Sequence, residues 1–149
     1  MDKYAITGVN TVTASPGDTV VAVEAVGTTR AKLYEVMFGT LGTPADNVLQ
    51  WLLRRFSAVG TRTGVTPTAL DPAAPAALLA GAEDHTVEPT YTAGTELLDL
   101  GVNQRASWRW VAAPESELVI PASAGAGIGL APISSGYSGD ANGVLHYVE

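Results

Sequence analysis

The rhythm of its turn residues constrains this chain more than any other feature. Sixteen glycines and nine prolines are scattered along the whole length and do not gather in one linker. The runs between them are short and rich in β-branched and aromatic residues, the composition of strands. Residues 19–26 (TVVAVEAV) follow the turn signal Ser15-Pro16-Gly17-Asp18, and residues 31–38 (AKLYEVMF) follow Gly27-Thr28-Thr29. Residues 48–56 (VLQWLLRRF) suit helix or strand by period alone, and their strand-like neighbours favour a core strand. Further runs lie at 64–70, 86–91, 96–100, 106–112, 118–121 and 127–133, with a last one at 144–148 after an Asn142-Gly143 turn. About eight to ten short strands at this spacing predict an all-β chain, a sandwich or a barrel.

One stretch breaks the pattern. Residues 71–81 (DPAAPAALLAG) predict a short helical turn near residues 72–80, with Asp71 as its cap and Gly81 as its end. Pro75 lacks an N–H and disfavours a helical Ala74, so any regular part starts there. No internal repeat or domain boundary is visible, and residues 1–149 read as one domain of ordinary size. Residues 1–15 form either a first strand or an arm reaching a neighbour.

Strand alternation assigns faces. Ala106, Trp108 and Trp110 share one side of their run, and Ser107, Arg109 and Val111 share the other. Paired tryptophans of this kind mark core or a subunit interface. Trp51, Trp108 and Trp110 are the candidate anchors for a subunit or partner contact. Tyr34, Val36 and Phe38 share a face opposite Leu33, Glu35 and Met37. A charge on that second face calls for a partner, and Arg54 or Arg55 on a neighbouring strand would serve.

Chemistry is sparse. The chain has no cysteine, which removes disulfides, thiolate metal sites and a cysteine nucleophile. His85 follows Glu83 and Asp84 in a predicted loop, an arrangement better explained as a solvated turn than as a metal site. His146 lies beside Tyr147 in the last run and reads as a surface or interface residue. Ser107, Ser116, Ser123, Ser134, Ser135 and Ser138 show neither a G-x-S-x-G elbow nor a histidine in a recognisable context. Residues 125–129 (GAGIG) lack the spacing and the lysine of a phosphate loop, so their glycines predict tight strand packing. Glu115/Glu117 and Glu96/Asp99 are the carboxylate pairs a glycosidase would need to place across a cleft. These readings predict no enzyme, no metal and no cofactor.

Charge narrows the partners. The net charge is −7, and charged residues make up 15% of the chain against roughly 25% in typical soluble domains. All basic residues precede position 110, and none forms more than a two-residue cluster. Such a chain offers no footprint for a phosphate backbone or an anionic membrane, so no nucleic acid and no membrane is expected. The N-terminus lacks the layout of a signal peptide, and no apolar run approaches the roughly 20 residues of a membrane span. A soluble chain assembled in a reducing cytoplasm fits these features. A weakly charged surface rich in small residues suits a protein that fits against other proteins.

Several phrases together carry a resemblance: residues 30–40 (RAKLYEVMFGT), 42–47 (GTPADN), 60–67 (GTRTGVTP), 70–72 (LDP), 103–105 (NQR), Arg109-Trp110, 117–122 (ELVIPA) and 127–130 (GIGL). The ensemble, spanning about residues 20–149, resembles small tailed-phage virion proteins of the head decoration or capsid cement kind. The resemblance implies a jelly-roll-like β-sandwich, commonly trimeric, that straps major capsid proteins together on the outer surface of the virion. A second expectation, from another class, is a carbohydrate- or receptor-binding β-sandwich of a tail or fibre. In that case Tyr91, Tyr137 or the tryptophans would stack on sugar rings.

Overall fold

The computed structural model describes residues 1–13, 18–133 and 136–149. Twelve strands and no helix are found among them. In chain order they are β1 (Lys3–Val12), β2 (Val21–Glu24), β3 (Ala31–Thr40), β4 (Val48–Ala58), β5 (Thr61–Val65) and β6 (Thr68–Ala69). They continue as β7 (Ala80–Val87), β8 (Thr90–Asn103), β9 (Trp108–Val111), β10 (Leu118–Ile120), β11 (Gly127–Pro132) and β12 (Gly139–Val148). All pairings are antiparallel and form two sheets.

One sheet runs β10-β3-β12-β1-β6, with β9 also on β3, and the other runs β5-β7-β2-β11-β4-β8. Within them lie the orders β9-β3-β12-β1 and β2-β11-β4-β8, the interleaved arrangement of a jelly roll. The fold is therefore a β-sandwich of jelly-roll order. The segment β5–β7 is inserted between β4 and β8: β7 and β5 extend the second sheet beyond β2, and β6 pairs with β1 in the first. The first and last strands pair along their whole length, from Lys3 opposite Val148 to Val12 opposite Gly139. Residues 1–15 are thus no arm over 3–12, where they form a fully paired strand.

Strict alternation explains the core. Tyr4, Ile6, Val12, Leu145 and Tyr147 face inward from β1 and β12, and Leu49, Trp51 and Leu53 meet them from β4. Gly143 lets the sheets approach, because a Cβ there would run into Val21 and Leu130. It lies inside β12 opposite Phe38, so Asn142-Gly143 is not the turn expected of it. The side-chain demand of the core, not local turn propensity, decides that position.

The helical turn expected near residues 72–80 is also absent. Asp71 makes one turn: its carbonyl accepts from Ala74 N at 3.0 Å, and its side chain accepts from Ala73 N at 2.9 Å. Pro75 stops the helix there, having no N–H to continue it. Gly81 is a strand residue whose missing side chain makes room for Ile6. The expected run 64–70 is split at Pro67 into β5 and β6, and the run 86–91 at Pro89 into the end of β7 and the start of β8. Residues 15–17 of the turn signal lie outside the described residues, as do Ser134 and Ser135.

Candidate functional site

The tryptophans separate by burial. Trp51 is 3% exposed, with its ring 4.5 Å from that of Phe38, and it belongs to the core. It offers nothing to a partner, because its position on β4 points it between the sheets. Trp110 lies opposite Val36 and is partly buried against the same core. Trp108, at the start of β9, stays 45% exposed. Leu41, which opens the connection from β3 to β4, and Val48, the first residue of β4, lie at the same end of the sandwich and are 44% and 65% exposed.

On the outer face of the first sheet, Glu35 is 7% exposed and holds two side-chain partners, a guanidinium and an imidazole. It accepts a short hydrogen bond from Arg109 Nε on β9 and pairs with His146 Nδ1 on β12 at 2.8 Å. Burial alone would raise this carboxyl, but the bonds from Arg109 and His146 outweigh it and hold it below its ordinary value. The partner expected from Arg54 or Arg55 is not used. A bulge explains the difference: Tyr147 pairs with Leu33 while His146 pairs with Glu35, so Tyr34 is the extra residue. Leu33 and Val36 can then both point inward, and Glu35 turns out toward β9 and β12. Arg55 instead donates to Val119 O at 2.6 Å, tying one sheet to the edge of the other.

Beside this cluster lies a shallow groove of about 390 Å³. Met37, Gly39, Ser107, Trp108, Arg109, Asn142 and Val144 line it. A smaller hollow of about 190 Å³ shares Asn142 and Val144 and continues toward Thr7, Val9 and Glu83. Together they make a trough across β3, β12 and β1, with amide, hydroxyl and guanidinium groups along it.

The outer face of the second sheet is built differently. Small residues there leave room for the chain to fold back on itself. Ala22 and Ala82 lie under Phe56, Val59 and Tyr91. A Cβ on Gly127 would strike the Phe56 ring, and one on Gly129 would meet the Tyr91 hydroxyl. The glycines of residues 125–129 include two, Gly127 and Gly129, that serve strand packing in β11, as expected.

Under Tyr91 runs a polar chain. Glu88 accepts from Thr19 through both the backbone N–H, at 2.8 Å, and the hydroxyl. The Thr19 hydroxyl has one proton, so Tyr91, 2.6 Å away, donates to it when Glu88 is ionised. Burial raises both the Glu88 carboxyl and the Tyr91 phenol. The Arg54 guanidinium stacks on Tyr91 at 3.8 Å from the ring centre. His85 is 5% exposed, and neither ring nitrogen is hydrogen-bonded. Burial therefore pushes its pKa below the ordinary 6.5. Its neighbour Glu83 accepts from Val9 N at 3.0 Å, and no metal-binding group of acids and histidines occurs among the described residues.

No family model, curated protein or solved structure matches the chain.

Neither tyrosine offered for sugar stacking presents a free ring face: Tyr137 is buried, and Tyr91 is half-buried with a guanidinium stacked on it. Tyr137 is 2% exposed with its hydroxyl bonded to the Leu41 and Asp140 carbonyls, and Tyr91 lies under Arg54. Glu117 makes an ion pair with Lys32 at 3.7 Å, while Asp99 accepts from Gln50 at 2.7 Å. Among the described residues, no serine hydroxyl is bonded to either histidine. The Glu35 cluster left no local signal in the sequence, since three strands distant in the chain create it. Among the described residues, no helix is long and apolar enough to cross a membrane.

Proposed function

We propose that this chain is a structural protein of a tailed-phage particle, a decoration protein that binds the outer surface of the head. Its partners in this reading are the major capsid protein and two further copies of itself in a homotrimer, assembled in the host cytoplasm. The observation that carries the reading is the exposure of Trp108, Leu41 and Val48 at one end of the sandwich. Exposed apolar side chains at one end of a domain suit a contact with another protein. The jelly-roll order, common among capsid proteins, and the sequence resemblance support it by analogy. Weak contacts suffice individually, because symmetric repetition over a particle multiplies them.

The test is electron microscopy of expanded capsids with and without the purified protein, paired with light scattering on the protein alone. Added density at local three-fold positions and a trimer mass are expected. A monomer that leaves capsids unchanged would sink the proposal.

A carbohydrate-binding reading gains one observation. The trough beside Trp108 presents Arg109, Asn142 and Ser107, donors and acceptors suited to sugar hydroxyls. A glycan array distinguishes it, with a hit abolished by Trp108→Ala promoting this reading over the first.

A further inference from the structure

We infer that the outer edge of β8 is a docking rail to which an extended, basic segment of another protein adds as a further strand. The inference does not depend on the capsid reading.

Unpaired strand edges invite pairing, and natural sheets blunt them. Elsewhere in this molecule the edges are short or guarded. β6, β9 and β10 have two, four and three residues. The Val119 carbonyl of β10 is taken by Arg55, and the free side of β1 is met at Val9 N by the Glu83 carboxylate. β5 has a register shift and an arginine, Arg62, locked onto Glu24 by bonds of 2.6 and 2.7 Å.

The C-terminal half of β8 has none of these devices, since the irregularities in its pairing with β4 all lie at Leu97 or before it. β8 is the longest strand, 14 residues, and contains no lysine, arginine or proline. From Leu98 to Asn103 its pairing with β4 runs without a register shift. Among the described residues, no hydrogen bond reaches its other side between Glu96 and Val102. Leu98 and Leu100 pack against the main core yet remain only partly buried, although their partners Leu53 and Trp51 on β4 are buried. The core is thin along this border, and one more strand would cover it.

The backbone dictates the occupant's shape, because a row of unpaired amides and carbonyls is satisfied by an extended chain. Charge dictates its chemistry. Glu96 and Asp99 are exposed on β8, and neither is in an ion pair among the described residues. Arg54, opposite Glu96, is turned onto the Tyr91 ring. A second copy of this chain fits poorly, since two β8 strands side by side would bring both copies' Glu96 and Asp99 into one short ribbon. A segment alternating apolar and basic residues fits both requirements.

Three short peptides test this against the full chain by hydrogen exchange and titration: one alternating valine and lysine, its valine–glutamate counterpart, and the lysine peptide N-methylated at alternate residues. Slowed exchange of the amides from Glu96 to Val102 is expected with the lysine peptide alone. The double variant Glu96→Lys, Asp99→Lys, confirmed folded by circular dichroism, should lose about tenfold or more in affinity. Unchanged exchange at β8 with the lysine peptide would overturn the inference. So would equal protection by all three peptides, or protection that grows with the protein's own concentration, which would assign the edge to a second copy.

Discussion

A carboxylate at position 35 cannot stay buried without compensation, because desolvation disfavours its charged form. Arg109 and His146 supply that compensation. The folded-state pKa of Glu35 lies below 4.5, so its contribution is present above that pH and is lost as the solution is acidified through the lowered value. His85 acts at milder acidity. Its pKa is lowered from 6.5 in the fold, so below that pH the unfolded chain binds a proton that the native ring refuses. Glu88 opposes this, since its raised pKa makes the native state the better proton binder just above 4.5. Comparing variants isolates each group. The wild-type denaturation midpoint should fall more steeply than that of His85→Gln between about pH 7 and 5.5, and equal slopes would remove His85 from the account.

Among the strands, the same residue type does different work according to where its element lies. Trp51→Ala on β4 empties part of the core and should cost about 3–5 kcal/mol in denaturant unfolding. Trp108→Ala at the start of edge strand β9 should cost about 1 kcal/mol or less, while capsid or ligand binding falls sharply. If Trp108→Ala proves as destabilising as Trp51→Ala, its ring belongs to the core after all. β11 is packed on both faces, which gives its glycines a steric role. Gly127→Ala should destabilise by about 1–3 kcal/mol, because the new methyl meets both the Phe56 ring and the Val23 carbonyl. Strand identities such as residues 48–56 were legible from their neighbours. The boundaries at Pro67 and Pro89 were less so, and the turn at Asp71 was over-read as helical because an alanine-rich run carries that propensity.

For the molecule as a whole, β1 and β12 join opposite ends of the chain, and both supply the single core between the sheets. Near- and far-ultraviolet dichroism should therefore lose signal in one coincident transition. Refolding should take milliseconds to seconds, as expected where long loops must close before their contacts form. A populated intermediate with one sheet intact would contradict the single-core description. By itself, the sequence determined the strand content and the all-β class, because turn residues and period-two patterning act locally. The tertiary structure alone decided which tryptophan is buried, that Glu35 meets Arg109 and His146, and that the long strand β8 lies at the border of its sheet. Those outcomes depend on register and on sheet order, which bring residues together across most of the chain and leave no mark on their immediate neighbours.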